Sequence, residues 1–244
     1  MYKLETAPLT LSGIFQSGWK LYKSCFFYVI IWTAILSLIH VTPYYFGFVG
    51  FYHQEIAGKL QLSWSALIFF FVLLIVEAFA VAIIFYNMYL SGKEQKVSQK
   101  QAFQNALHTF VNMYIGLVAY YFIANIGLYV YIIPGLFFGV LFVMAIPAIV
   151  IEKQTVYAAF ENSVRLVWGH WWQTFFALAV PYFLLYLLRN FGKFTPWEGE
   201  WVLLIDAAVL ALLMPYYYAV LLVQYNNIKI IKSLPEPISH RSHH

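Results

Sequence analysis

From Val111 to Ile151 the chain carries no charged side chain, a run twice as long as the ~20 apolar residues with which one helix crosses a hydrocarbon core of ~30 Å. Pro134 and Gly135, near its middle, supply the break that folds such a run into a helical hairpin. The same length criterion along the chain predicts six spans, at 24–44, 63–90, 111–131, 133–151, 171–190 and 201–224. Composition agrees: 63% of the 244 residues are hydrophobic and 10% charged, with a mean hydropathy of +0.73, where soluble domains carry about 25% charged residues. The expected fold is an all-α integral membrane protein, one polytopic domain over 1–230 with a flexible tail over 231–244. The opening MYKLETAPLT does not read as a signal peptide, because the first apolar run starts only after Lys23 and is too long for an h-region. The first span is therefore expected to stay as an anchor.

Lys and Arg set the orientation. With both termini on one side, that side holds Lys3, Lys20, Lys23, Lys93, Lys96, Lys100, Lys153, Arg165, Lys229, Lys232 and Arg241, and the other holds only Lys59, Arg189 and Lys193. The positive-inside rule then places both termini in the cytoplasm. A net charge of +4 gives no reason to expect a nucleic-acid partner. Cys25 is the only cysteine, which excludes an internal disulfide and a cysteine-built metal cage.

Three short polar segments precede the odd-numbered spans and align without gaps. Phe15-Gln16-Ser17-Gly18-Trp19-Lys20, Phe103-Gln104-Asn105-Ala106-Leu107-His108 and Phe160-Glu161-Asn162-Ser163-Val164-Arg165 share the order aromatic, amide or acid, small polar, small, apolar, basic. The correspondence extends to Tyr22, Phe110 and Val167, and on to Phe26, Tyr114 and Trp171. A fixed pattern in the same place before three spans is an internal repeat. The predicted unit is an amphipathic helix along the cytoplasmic interface followed by a transmembrane hairpin, over 9–90, 98–151 and 155–224. Such helices serve as anchors in a lipid surface, or as a collar that grips a headgroup or a protein partner.

The stretch IPGLFFGVLFVMAIPAIVIEKQTVYAAFENSVRLVWGHWW resembles the signature region of the YciC-type bacterial inner-membrane proteins and of the membrane domain fused to some glycerophosphodiester phosphodiesterases. The matching positions are Pro134, Gly135, Pro147, Glu152, Ala159, Ser163, Leu166, Gly169 and Trp172. The resemblance implies a multi-pass protein of the bacterial cytoplasmic membrane. It brings no hydrolase activity, since no hydrolase domain accompanies it here.

Glu77 lies near the middle of the second span, where a carboxylate costs about 2.5–3.5 kcal/mol on insertion scales. Such a group is either a proton, cation or substrate site, or a neutral acid bonded to a neighbour such as Asn125, Gln224 or a tyrosine. Tyr120, Tyr121, Tyr216 and Tyr217 are expected to line a central cavity with it. Asp206 is expected near the far interface as an ion-pair partner of Arg189 or Lys193, and Glu152 and Glu161 are expected to pair with Lys153 and Arg165. Pro147, Pro181 and Pro215 should kink the last three spans. Gly135 and Gly139 form a GxxxG face that reads as close packing inside the hairpin or as a dimer contact.

No catalytic motif is present: HExxH, GxSxG, a phosphate-binding glycine loop and a cysteine–histidine set are all missing. His40, His53, His108 and His170 are scattered, and His240, His243 and His244 sit in the tail. The expectation is a non-enzymatic protein without cofactor or metal. It would bind, and in the further step move, an amphipathic molecule such as a lipid or hydrophobic peptide. The competing expectation is a scaffold acting through a protein partner or a homo-oligomer, with a filled bundle core.

Overall fold

The computed structural model describes residues 3–45, 55–56, 59–60, 64–130, 132–191 and 200–233. They form helices α1 (Leu11–Tyr45), α2 (Trp64–Gly92), α3 (Gln99–Val130), α4 (Ile132–Phe142), α5 (Ala145–Glu152), α6 (Val156–Val167), α7 (Trp171–Phe191) and α8 (Glu200–Ser233). Two-residue strands β1 (Glu55–Ile56) and β2 (Lys59–Leu60) pair antiparallel between α1 and α2. Six segments are long and apolar enough to cross a membrane: Leu11–Val41, Ile68–Gly92, Gln99–Ala124, Ile133–Glu152, Trp171–Leu188 and Trp201–Ser233. Their outer faces are apolar as well. Phe27 is 82% exposed, Phe122 66% and Phe183 59%, a surface that water would penalise and lipid does not. Residue 193 and the histidines of the tail lie outside the described residues, as do the side chains of Lys59, Asn125 and Arg189. Helix α8 continues through Ser233, so the start of the predicted tail is helical.

Helix ends differ from the expectation where the first two polar segments meet their spans. α1 and α3 run unbroken through them, and only the third segment forms a separate helix, α6. The reason lies nine residues into each copy. Gly169 turns the chain with φ +88°, whereas Ser24 and Asn112 hold the equivalent places and carry a Cβ that disfavours that conformation. Continuing the helix also avoids leaving the backbone groups of two new ends without partners. At this turn His170 titrates below the ordinary histidine range, because burial penalises its charged form and Lys232 adds like charge.

Prolines act at each predicted site, in different ways. Pro147 excludes a straight helix through Val143, four residues earlier, and the fourth span is broken there into α4 and α5. Pro181 and Pro215 stay inside α7 and α8. The carbonyl that Pro215 frees, that of Ala211, lies 3.0 Å from the buried Thr33 hydroxyl of α1, whose one proton it shares with the Ile30 carbonyl, also at 3.0 Å. Thr33→Val keeps the shape and removes that donor, so it is expected to destabilise the fold by about 1–3 kcal/mol. Unfolding in detergent measures this, and an unchanged midpoint would mean the Ala211 carbonyl has another donor.

Around the bundle the neighbours follow the order α7, α8, α1, α2, α3, α4, with α5 and α6 packed beneath the last two. α1 and α8 come close together at Gly18, where an added Cβ would stand 2.7 Å from Val220 Cγ2. Gly116 of α3 likewise leaves room for Ile149. The ends of the order, α7 and α4, touch where Trp171 stacks on Phe137 and donates its indole N–H to the Phe137 carbonyl at 3.2 Å.

Candidate functional site

Beside that contact, α4 and α7 stand apart and enclose a cavity of about 780 Å3. α2 contributes Glu77 and Val81, α3 the stretch around Tyr120 and Tyr121, and α8 Met214, Tyr217, Tyr218 and Leu221. α7 presents Phe175, Ala179, Tyr182 and Tyr186, one face at helical spacing. These span about 16 Å at 1.5 Å per residue, half a bilayer core. The cavity opens sideways between α4 and α7, where Leu136, Tyr182, Phe183 and Tyr186 are lining residues with exposed side chains. Among the described residues none of α1 lines it, so the expected place at the centre of three hairpins is not where it lies; its described lining comes from α2, α3, α4, α5, α7 and α8 and the break after α4.

Glu77 is 7% exposed and accepts a 2.6 Å hydrogen bond from the Tyr121 hydroxyl at Oε1. A tyrosine thus fills the partner role expected for the buried acid. Of the residues predicted to line a cavity, Glu77, Tyr120, Tyr121 and Tyr217 do so. Tyr216 does not: it packs edge-on to Trp19 and donates to the Phe15 carbonyl, because consecutive helical residues point about 100° apart. Gln224 is also elsewhere, buried and bonded to Thr174 and Asn227, the latter accepting the Leu9 amide. Asn125 belongs to the part of α3 whose side chains are not described.

The glycine face has a different role from the one expected. Gly135 and Gly139 line the cavity instead of a packed interface, and a Cβ on Gly139 would meet nothing nearer than the Tyr120 hydroxyl at 4.0 Å. Tyr182, Tyr186, Tyr218 and Phe175 were not legible as a group. The signal that carries Phe175, Tyr182 and Tyr186 is the one-face spacing on α7, which marks a shared direction but not what fills it; Tyr218 lies on α8.

The remaining predicted residues are placed as structure. Gln16, Gln104 and Glu161 are exposed, as are Lys20, His108 and Arg165, while the small residues Gly18, Ala106 and Ser163 are buried. Phe15 and Phe160 are half-buried and Phe103 exposed. Arg165 pairs with Glu161 at 2.9 Å, as expected. Glu152 pairs with Lys229 rather than Lys153, and also accepts from Tyr225 at 2.6 Å and Gln154 at 2.8 Å, tying α5 to α8. Lys153 instead ends α5 with φ 54°. Ser163 donates to the Leu141 carbonyl at 2.7 Å, beside the break before Pro147. Pro134 sits in the first turn of α4, where a missing N–H costs nothing.

Chemically, the site offers apolar volume, aromatic faces and one carboxyl. Among the described residues no three His, Cys, Asp or Glu side chains gather to hold a metal ion. No family model, curated protein or solved structure matches the chain.

Proposed function

We propose that the protein binds an amphipathic molecule, a lipid or hydrophobic peptide, within the bacterial cytoplasmic membrane, and that its passage into or across the bilayer follows from that binding. The carrying observation is the apolar cavity of about 780 Å3 that opens toward the lipid side of the bundle. Its size lies within the ~300–1,000 Å3 of sites that enclose drug-sized ligands. A lateral mouth lets a hydrocarbon tail enter without leaving an apolar medium. The scaffold alternative called for a filled core, and the cavity weighs against it.

The orientation, the repeat and the family resemblance belong to the same proposal. Both termini are cytoplasmic under the positive-inside rule. The three polar segments are one unit used three times, a reading supported by the common burial of Gly18, Ala106 and Ser163 and the common exposure of Lys20, His108 and Arg165. Membership among the YciC-type proteins rests on Pro134, Gly135, Pro147, Glu152, Ser163 and Gly169.

Native mass spectrometry of the protein in a mild neutral detergent tests the binding. The expected spectrum holds one discrete amphiphile per chain that survives when bulk lipid is stripped. Loss of all lipid together, with a persistent oligomer or protein partner, would return the scaffold.

A further inference from the structure

We infer that the cavity takes an amphiphile with an ammonium head, a primary amine or a quaternary nitrogen, seated against Glu77 and the tyrosine rings, with its hydrocarbon chain leaving between α4 and α7. This rests on the binding function proposed above and names the chemistry that the site selects.

Charge is the first argument. Glu77 is nine-tenths buried and stands on the cavity wall, and among the described residues that line the cavity with it none is Lys, Arg or His. The carboxyl has no counter-charge beside it on the described wall, and a cationic ligand supplies one to its ionised form. Tyr121 fixes the group by bonding Oε1, and Oε2 has no hydrogen-bond partner among the described residues. An anionic head would find no Lys, Arg or His among the described lining residues to receive it.

The rings are the second argument. Tyr182 and Tyr217 have centroids 6.4 Å apart with planes inclined by 62°, Tyr120 and Tyr121 are 5.8 Å apart at 62°, and Tyr217 and Tyr218 are 5.8 Å apart at 65°. Rings inclined to one another along one wall can offer an ammonium group more than one π-face, as aromatic cages do. A sugar head would need many hydrogen-bonding groups, and the wall is mostly apolar. Head and tail are therefore read by different parts: carboxyl and rings inside, and the exposed Leu136 and Phe183 at the mouth.

Three probes of equal chain length isolate the head: dodecyltrimethylammonium, dodecanol and dodecanoate, each titrated against the full-length protein in a maltoside detergent and followed by native mass spectrometry. The ammonium probe is expected to bind about tenfold or more tightly than the other two. Glu77→Gln should lower binding of the ammonium probe far more than that of dodecanol, closing the gap between them. Equal binding of all three, or preference for dodecanoate, overturns the ammonium reading while amphiphile binding stands; failure of all three to bind overturns both. The ranking in the unaltered protein decides even where Glu77→Gln does not fold, and Tyr217→Leu should weaken the ammonium probe more than dodecanol. An amine-headed phospholipid that co-purifies and is displaced by the probe marks the bilayer as the source of the ligand. Ligand-free protein that takes up the probe marks a free cationic amphiphile.

Discussion

Phenylalanine at both Gly139 and Ala179 is expected to empty the cavity of its ligand while leaving the bundle folded. The two positions are on facing walls, α4 and α7, and both line the space. The Cβ of residue 139 has a 4.0 Å approach to the Tyr120 hydroxyl as its nearest contact, so the new ring grows into open volume instead of into packed atoms. Helix propensity moves by only about 0.5 kcal/mol at each site and in opposite directions. Retention of the co-purified amphiphile should fall about tenfold or more, with little change in the unfolding midpoint. Undiminished retention would locate the ligand outside this cavity and remove the basis of the proposed function.

Gly18→Leu should have the largest effect on stability. A Cβ there meets the Val220 side chain at 2.7 Å and its backbone at 3.3 and 3.4 Å. Side chains can rotate away, but the backbone of α8 must move as a whole. Overpacking typically costs about 1–3 kcal/mol and occasionally more, and the α1–α8 contact is the most extensive in the bundle. Gly13→Leu is the control, because its Cβ meets nothing nearer than 3.4 Å. Equal midpoints for the two variants in a detergent unfolding series would contradict the close approach of α1 and α8.

The spans were legible because the thickness of hydrocarbon dictates their length, and polar residues inside it are costly enough to stand out. Glu77 announced itself for that reason. Its partner did not, since Tyr121 becomes a neighbour only once α2 and α3 are set in register. Tyrosine and phenylalanine are so frequent in this chain that Tyr182 and Tyr218 carried no separate signal, and the cavity they line was visible only as a guess about its centre. The GxxxG pattern reports small side chains along one helix face, which permits either a close neighbour or a void. Gly18, outside any such pattern, is where two helices meet closely. Helix breaks were misjudged where local polarity suggested a turn, because polarity does not stop a helix; Gly169 and Pro147 do.

The pairing of the first helix with the last has a consequence for how the protein is made. Thr33 reaches the carbonyl freed by Pro215, Leu9 donates to Asn227, and Asn226 donates to the Glu5 carbonyl. Every one of these bonds joins α1 or the residues before it to α8, the later made of the two. As the chain emerges, α1 packs on α2 at once, but its other face stays unmatched until α8 arrives, so the closing contact of the bundle forms late. A chain cut before α8 would leave α1 without its main neighbour.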